Sequence, residues 1–226
     1  MNSFAAQIYE KRIEKTVENL KKNNFNACFV KSKEELLDKV KQLIPQGSSV
    51  AWGGSATLKE TGVVDMLKNG GYVCYDSTQP GMPADEYKEG SLKAFSADVF
   101  LAGTNAVTEQ GELYNVDGNG NRVAPMIYGP DKVIVVVGKN KIVPDIEAAK
   151  VRVQKLAAPA NGVRLNTGTP CSVTGECVGG LGCRAPKRMC CTSTVFGFQR
   201  DTERFYVFIT SFRLAMSLGC FKAKGT

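Results

Sequence analysis

Histidine is absent from the 226 residues. That removes Ser-His-Asp and Cys-His nucleophile schemes, and every His-ligated metal site. Acid–base work then falls to Glu, Asp, Lys, Tyr or Cys. Long apolar runs are missing as well: nothing approaches the ~18–20 residues of a membrane span. The opening MNSFAAQIYEKRIEK has no signal-peptide apolar core and carries charge early. A cytosolic chain with no membrane association is expected. There is no arginine-rich aromatic motif, and the lysines and arginines behind the net charge of +7 are scattered. That pattern suits a solvated surface or an anionic small-molecule ligand, not nucleic acid. No internal repeat is visible.

What is present alternates between two periods. Phe4, Ile8, Ile13, Val17 and Leu20 recur at helical spacing. Ala27–Val30 is a short apolar run with strand character. Ser32, with Glu35 three residues on, forms a capping box for a second helix whose core stripe is Leu36, Leu37, Val40, Leu43 and Ile44. Ser49–Trp52 is the next strand, and Thr57 with Glu60 suggests a capped helix reaching Asn69-Gly70-Gly71. Tyr72–Tyr75 is a strand, and Asp76–Asp85 is a polar loop placed to cover a site. A helix from Ala84 to Ser96 leads to the strand at Val99. Val133–Val137 is β-branched throughout and stops at Gly138. Between these two strands, Asp117–Asn121 (DGNGN) has turn chemistry that can close a hairpin. Pro144 opens a helix with Ile146, Ala149, Val153 and Leu156 on one face. The alternation predicts an α/β fold: a mainly parallel sheet with helices on both faces and a β-hairpin insertion.

Ala158-Pro159-Ala160-Asn161-Gly162 marks a change of composition. The expected division is an α/β domain over 1–160. A small Cys-rich C-terminal lobe over 161–226 carries a strand at Arg204–Thr210 and a fraying basic tail.

Three features could carry chemistry. Gly53-Gly54-Ser55 directly follows a strand, and with Thr57 it reads either as a cradle for phosphate or carboxylate or as an ordinary tight turn. Glu109, in Thr108-Glu109-Gln110-Gly111, is a carboxylate just past a strand end, where open α/β sheets gather their chemistry. It reads as a nucleophile or base, or as a surface acid. Glu112, Asp117 and Asp131 read as solvated. Of eight cysteines, five fall between Cys171 and Cys191. Cys171, Cys177, Cys183 and Cys190 suit zinc or an iron–sulfur cluster in a reducing compartment; free thiols and a disulfide are the alternatives. Arg184, Lys187 and Arg188 would lower nearby thiol pKa values. Cys28, Cys74 and Cys220 read as small buried apolar residues.

The segment ADVFLAGTNAVTEQGELYNVDGNGNRVAPMIYGPDKVIVVVGKNKIV, with AWGGSATLKETGV and TPCSVTGEC, resembles the lactate-utilisation (LUD) domain family over about Phe4 to Cys191. The resemblance implies a fold like the NagB/RpiA/CoA-transferase group. It also implies a part in oxidising lactate or a related 2-hydroxy acid to pyruvate, beside iron–sulfur partner proteins. From the wider fold group, Thr108–Gly111 looks like the S-E-N-G segment of CoA-transferases, whose Glu attacks an acyl-CoA, with Gln110 in place of Asn. Gly53-Gly54-Ser55 looks like the phosphate loop of sugar-phosphate isomerases. Val178–Gly182 lengthens the usual cysteine spacing. The alternatives are therefore a transferase or isomerase using Glu109 on CoA or a phosphorylated ligand, and a non-catalytic binding module. A homodimer is compatible with each. All the catalytic readings expect Glu109 and the Gly53–Thr57 turn to share one crevice.

Overall fold

The computed structural model describes residues 3–79, 81–179 and 183–211. Along the chain run α1 (Ser3–Lys22), β1 (Asn26–Val30), α2 (Lys33–Leu43), β2 (Ser49–Trp52), α3 (Ala56–Glu60), α4 (Val63–Asn69), β3 (Val73–Tyr75) and α5 (Ala84–Lys93). Then come β4 (Val99–Gly103), β5 (Ala106–Thr108), β6 (Leu113–Asp117), α6 (Val123–Ile127), β7 (Lys132–Gly138) and β8 (Ile142–Val143). The chain continues through α7 (Ile146–Arg152), α8 (Ala158–Arg164), α9 (Pro170–Thr174), β9 (Thr192–Phe196) and β10 (Phe205–Thr210).

Six strands form one parallel sheet in the order β1-β10-β7-β4-β2-β3. Its middle strand β7 is buried on both faces, as its unbroken Val/Ile run requires. Val133, Val135 and Val137 join the core beneath α1 with Phe25, Phe100 and Val207. Ile134 and Val136 face the other way, into the core beneath α2 and α4 with Leu36, Val40, Leu58 and Leu67. The period of two along one strand thus divides the interior into two layers. A second sheet, β8-β5-β6-β9, packs a third core of Ala106, Tyr114 and Val143 against Ala149 and Val153. No helix among the described residues is long and apolar enough to cross a membrane.

Several local expectations change. The stripe on α1 is buried only at its C-terminal half, at Ile13 and Leu20; Phe4 and Ile8 are 72% and 58% exposed. Ser32 caps α2 by accepting from the Glu35 amide at 3.1 Å, and the Glu35 carboxylate accepts from the Lys31 amide at 2.8 Å. The helix expected over 57–69 breaks at Thr61-Gly62. Its cap is Ser55, not Thr57: Ser55 Oγ accepts from the Leu58 amide at 3.3 Å.

The DGNGN turn does not close a hairpin. It leads into α6, because Asp117 Oδ2 accepts from the Val123 amide at 3.0 Å and holds the start of that helix. The hairpin of β5 and β6 is closed instead by Glu109–Glu112, with the Thr108 amide donating to the Glu112 carbonyl at 2.9 Å.

Pro159 and Gly162 lie inside a helix. Val153–Ala157 widens into a π turn that joins α7 to α8, and Pro159 falls in the first turn of α8, where its missing N–H costs little. The chain from 161 onward supplies β9 to one sheet and β10 to the other. β10 lies between β1 and β7, with Phe205 edge-on to Phe25 at 5.6 Å. The basic tail and Cys220 lie outside the described residues.

Candidate functional site: a basic cleft

A cleft of about 770 Å³ opens at the carboxyl ends of β2 and β4. Gly54, Ser55, Thr57 and Lys59 form one wall, just past β2. Ser77, Thr78, Gln79, Gly81 and Met82 form another, so the loop expected to cover a site does border one. Asp76 anchors that loop through Lys68 at 2.7 Å and Thr78. Burial acts to raise the Asp76 pKa, but these partners together hold it below the ordinary carboxylate value. Thr104 and Asn105, just past β4, also line the cleft, and Arg152 and Arg164 close it from α7 and α8. The π turn directly follows Arg152, a placement such turns often have beside functional sites.

Arg122 is the most heavily engaged cation. Its guanidinium donates to Asp117 Oδ1 from Nε at 3.0 Å and Nη2 at 2.6 Å. It also donates to the carbonyls of Gly103 and Val116 and to the side-chain oxygens of Asn105 and Asn115. The side chains of Arg122 and Asp117 are 13% and 8% exposed, so Asp117 is not the solvated acid its loop composition suggests. This is a buried pair whose polar atoms are nearly all used, and Asn115 Nδ2 has no partner among the described residues. The arrangement also explains Gly53. A Cβ there would sit 2.8 Å from Arg122 Cγ, so the residue is small to let the arginine pass. Gly53 itself does not line the cleft.

Lys141 lies in a 3-10 turn after β7 and is 7% exposed. Its Nζ donates to Thr57 Oγ1 at 3.2 Å and to the Thr104 carbonyl at 3.0 Å. Burial first, then the charges of Arg152 and Arg122, bring its pKa down to about 7, against a smaller opposing pull from Glu60. Arg152 donates from Nη1 to the Asn105 carbonyl at 2.6 Å, and burial lowers its pKa to about 10. Arg164 donates from Nη2 to Asn161 Oδ1 at 2.6 Å, and burial lowers its pKa too. Among the described residues, Lys59, Arg122, Arg152 and Arg164 border the cleft as cations beside the partly neutral Lys141, with one carboxylate, Asp117, which Arg122 already holds.

Glu109 is placed elsewhere. It does not border the cleft. Its hairpin turn docks on α1: Asn19 and Asn23 donate to the carbonyls of Glu109, Gln110 and Gly111. Gly111 has φ of 85°, and a Cβ there would run into the Asn19 backbone. Arg12 and Lys15 take the two carboxylate oxygens of Glu109, Lys15 at 3.2 Å. Burial acts to raise the Glu109 pKa, but the two cations outweigh it and hold the group ionised. The expected meeting of Glu109 with the Gly53–Thr57 turn does not occur, because TEQG is the turn that fastens the hairpin to the first helix.

Cys171, Cys177 and Cys183 all lie near enough to Cys190 to act on its thiol. The seven described cysteines are all free thiols. Among the described residues, no three Cys, Asp or Glu side chains are placed to hold a metal ion, Cys171, Cys177, Cys183 and Cys190 included. Arg188 fastens the loop by donating to the carbonyls of Cys183 and Cys190. The Cys190 pKa is raised, by burial and then by Cys171 and Cys177, with Cys183 adding less; Arg188 pulls the other way but does not reverse the shift. Cys28 and Cys74 are half-buried against the second core.

Fold and site together define an α/β protein with a basic cleft at a strand-end crevice. The chain belongs to the LUD domain family, whose sequence model matches residues 13–210. A DUF162 family protein from Deinococcus radiodurans is similar to it in structure, with a TM-score of 0.53 and 14% identity over 90% of this chain and 98% of that one. At that identity the likeness shows the fold alone. A ribose 5-phosphate isomerase from Plasmodium falciparum overlaps over 50% of this chain and 52% of its own, with a TM-score of 0.31 and 15% identity. That likeness is too slight to carry an argument. No curated protein matches.

Sequence reasoning found Gly54, Ser55 and Thr57 but missed Lys141, Arg122, Arg152 and Arg164. The one available signal was Arg122 itself, directly after DGNGN. An arginine next to a turn that follows a strand is within reach of a strand-end crevice.

Proposed function

We infer that the cleft binds a small organic acid of the 2-hydroxy or 2-oxo class, and that the chain serves oxidation of lactate or a related 2-hydroxy acid to pyruvate. The observation that carries this reading is the charge balance of the cleft: Lys59, Arg152 and Arg164 border it, and its one carboxylate among the described residues pairs with Arg122. Positive charge gathered in a concave crevice favours a ligand carboxylate. Family membership supports the lactate-type role. Such an oxidation releases two electrons and two protons per molecule of acid. On this reading the electrons pass to an iron–sulfur partner protein, and no step is routed through a metal on this chain. A transferase built on Glu109 draws no support from the geometry, since both carboxylate oxygens are already engaged.

Calorimetric titration of the full chain with lactate, pyruvate, acetyl-CoA and ribose 5-phosphate tests the reading. Lactate or pyruvate should bind at millimolar concentration or tighter. Binding of ribose 5-phosphate or acetyl-CoA with no response to either acid would overturn it in favour of the phosphorylated-ligand reading.

A further inference from the structure

We propose that Lys141 is the reactive group of this cleft, a buried amine that condenses with the carbonyl carbon of a 2-oxo acid to form an imine. The proposal rests on reading the cleft as a site for such acids.

The first argument is position. Thr57 follows β2, Thr104 follows β4 and Lys141 follows β7, and these three strands are neighbours in the sheet. Their carboxyl ends bring the amine, a hydroxyl and a carbonyl together at one point of the cleft wall. The second is valence. A neutral primary amine has two N–H bonds and one lone pair. Thr57 Oγ1 and the Thr104 carbonyl accept from Nζ, which accounts for both N–H bonds. The lone pair takes the remaining tetrahedral position, and Lys141 is itself a wall residue of the cleft. No carboxylate pairs with Nζ among the described residues. A lysine held for its charge would need such a partner at this depth. The third is protonation: burial, Arg152 and Arg122 leave a large share of this amine uncharged near neutrality, the state in which a lysine is nucleophilic.

The chemistry balances without an oxidant. The nitrogen lone pair attacks the carbonyl carbon, and the carbonyl π pair moves to oxygen. That oxygen takes one proton from nitrogen and gives a carbinolamine. The carbon–oxygen bond then breaks, the second nitrogen proton leaves with the oxygen as water, and the nitrogen pair closes the C=N bond. Thr57 Oγ, 3.2 Å from Nζ, is the group placed to relay those protons. Arg164, on the cleft wall, is the cation assigned to the acid's carboxylate, with Arg152 adding positive charge beside it.

The test is reductive trapping on the full chain. The protein is incubated with pyruvate and cyanoborohydride, digested and mapped by mass spectrometry. One saturable adduct should appear at Lys141, about tenfold or more above exposed lysines such as Lys15 and Lys93, given their different free-amine fractions. Lys141→Met and Lys141→Arg should lose it. Peptide mapping of the unmutated chain locates the adduct even if neither variant folds. If pyruvate binds by calorimetry but Lys141 stays unmodified, or is labelled no more than Lys15, the amine proposal is overturned and the acid-binding reading stands. If pyruvate neither binds nor labels, both fall.

Discussion

Two places in this molecule put a charged residue just past the end of a strand, and they turn out opposite. At the β5–β6 turn, Glu109 meets Arg12 and Lys15, and asparagines on α1 tie down the surrounding carbonyls. At the end of β7, Lys141 bonds a hydroxyl and a carbonyl and, among the described residues, no carboxylate, with two arginines acting on it against a smaller pull from Glu60. A compensated charge fastens one element to another. An uncompensated charge beside a cavity leaves the cavity in need of a ligand. What separates them is the sign and distance of the neighbours, which local sequence does not state.

The comparison can be broken at four points. The largest effect is expected where a compensated pair is most buried. Asp117→Ala leaves Arg122 charged and unpaired and releases the start of α6, so it should lower unfolding free energy by about 3–5 kcal/mol in chemical denaturation. A loss under about 1 kcal/mol would mean that the pair is not a structural fastening.

Next comes Lys141→Met, with the opposite sign. The folded-state pKa of about 7 lies below the ordinary 10.5, so between those values the unfolded chain binds more protons than the folded one. Stability from this group therefore rises with pH across that window, and the full cost is present below it. Arg152, Arg122 and Glu60 are the charges acting on the amine. Removing the amine should stabilise the fold by roughly 3 kcal/mol at pH 6, the two lost hydrogen bonds already subtracted from a gross effect of about 5 kcal/mol, and the gain should fade by about pH 10. Paired denaturation curves at the two pH values measure this; a pH-independent difference would contradict the burial argument.

Arg164→Ala should weaken pyruvate or lactate binding about tenfold, or ~1.4 kcal/mol, and change stability by less than ~0.5 kcal/mol. Equal affinity in the variant would remove Arg164 from the ligand's contacts. The smallest effect should come from Glu109→Gln, which loosens the hairpin from α1 by about 1 kcal/mol and leaves ligand affinity unchanged. A collapse of affinity there would restore Glu109 to the site.

Much of the fold could be read from the chain. Val133–Val137 is legible because a strand buried on both faces needs an unbroken apolar run, and Ser32 with Glu35 because a capping box is local chemistry. Pro159 misled, since proline in the first turn of a helix resembles proline at a break until the π turn ahead of it is seen. DGNGN misled for a similar reason: turn residues show that the chain bends, not what it bends toward. Ser55 and Thr57 were found by position but their parts were not separated, one capping α3 and the other accepting from Lys141.

The sequence by itself determined the alternation of helices and strands, the parallel sheet and the absence of imidazole chemistry, because periodicity and composition are properties of short segments. Only the tertiary structure decided which charges are spent and which are left over. Lys141 and Thr57 are 84 positions apart, and Glu109 and Arg12 are 97 apart. Whether such pairs meet depends on strand order and helix docking, and a charge at a strand end acquires its role only from what the rest of the chain brings beside it.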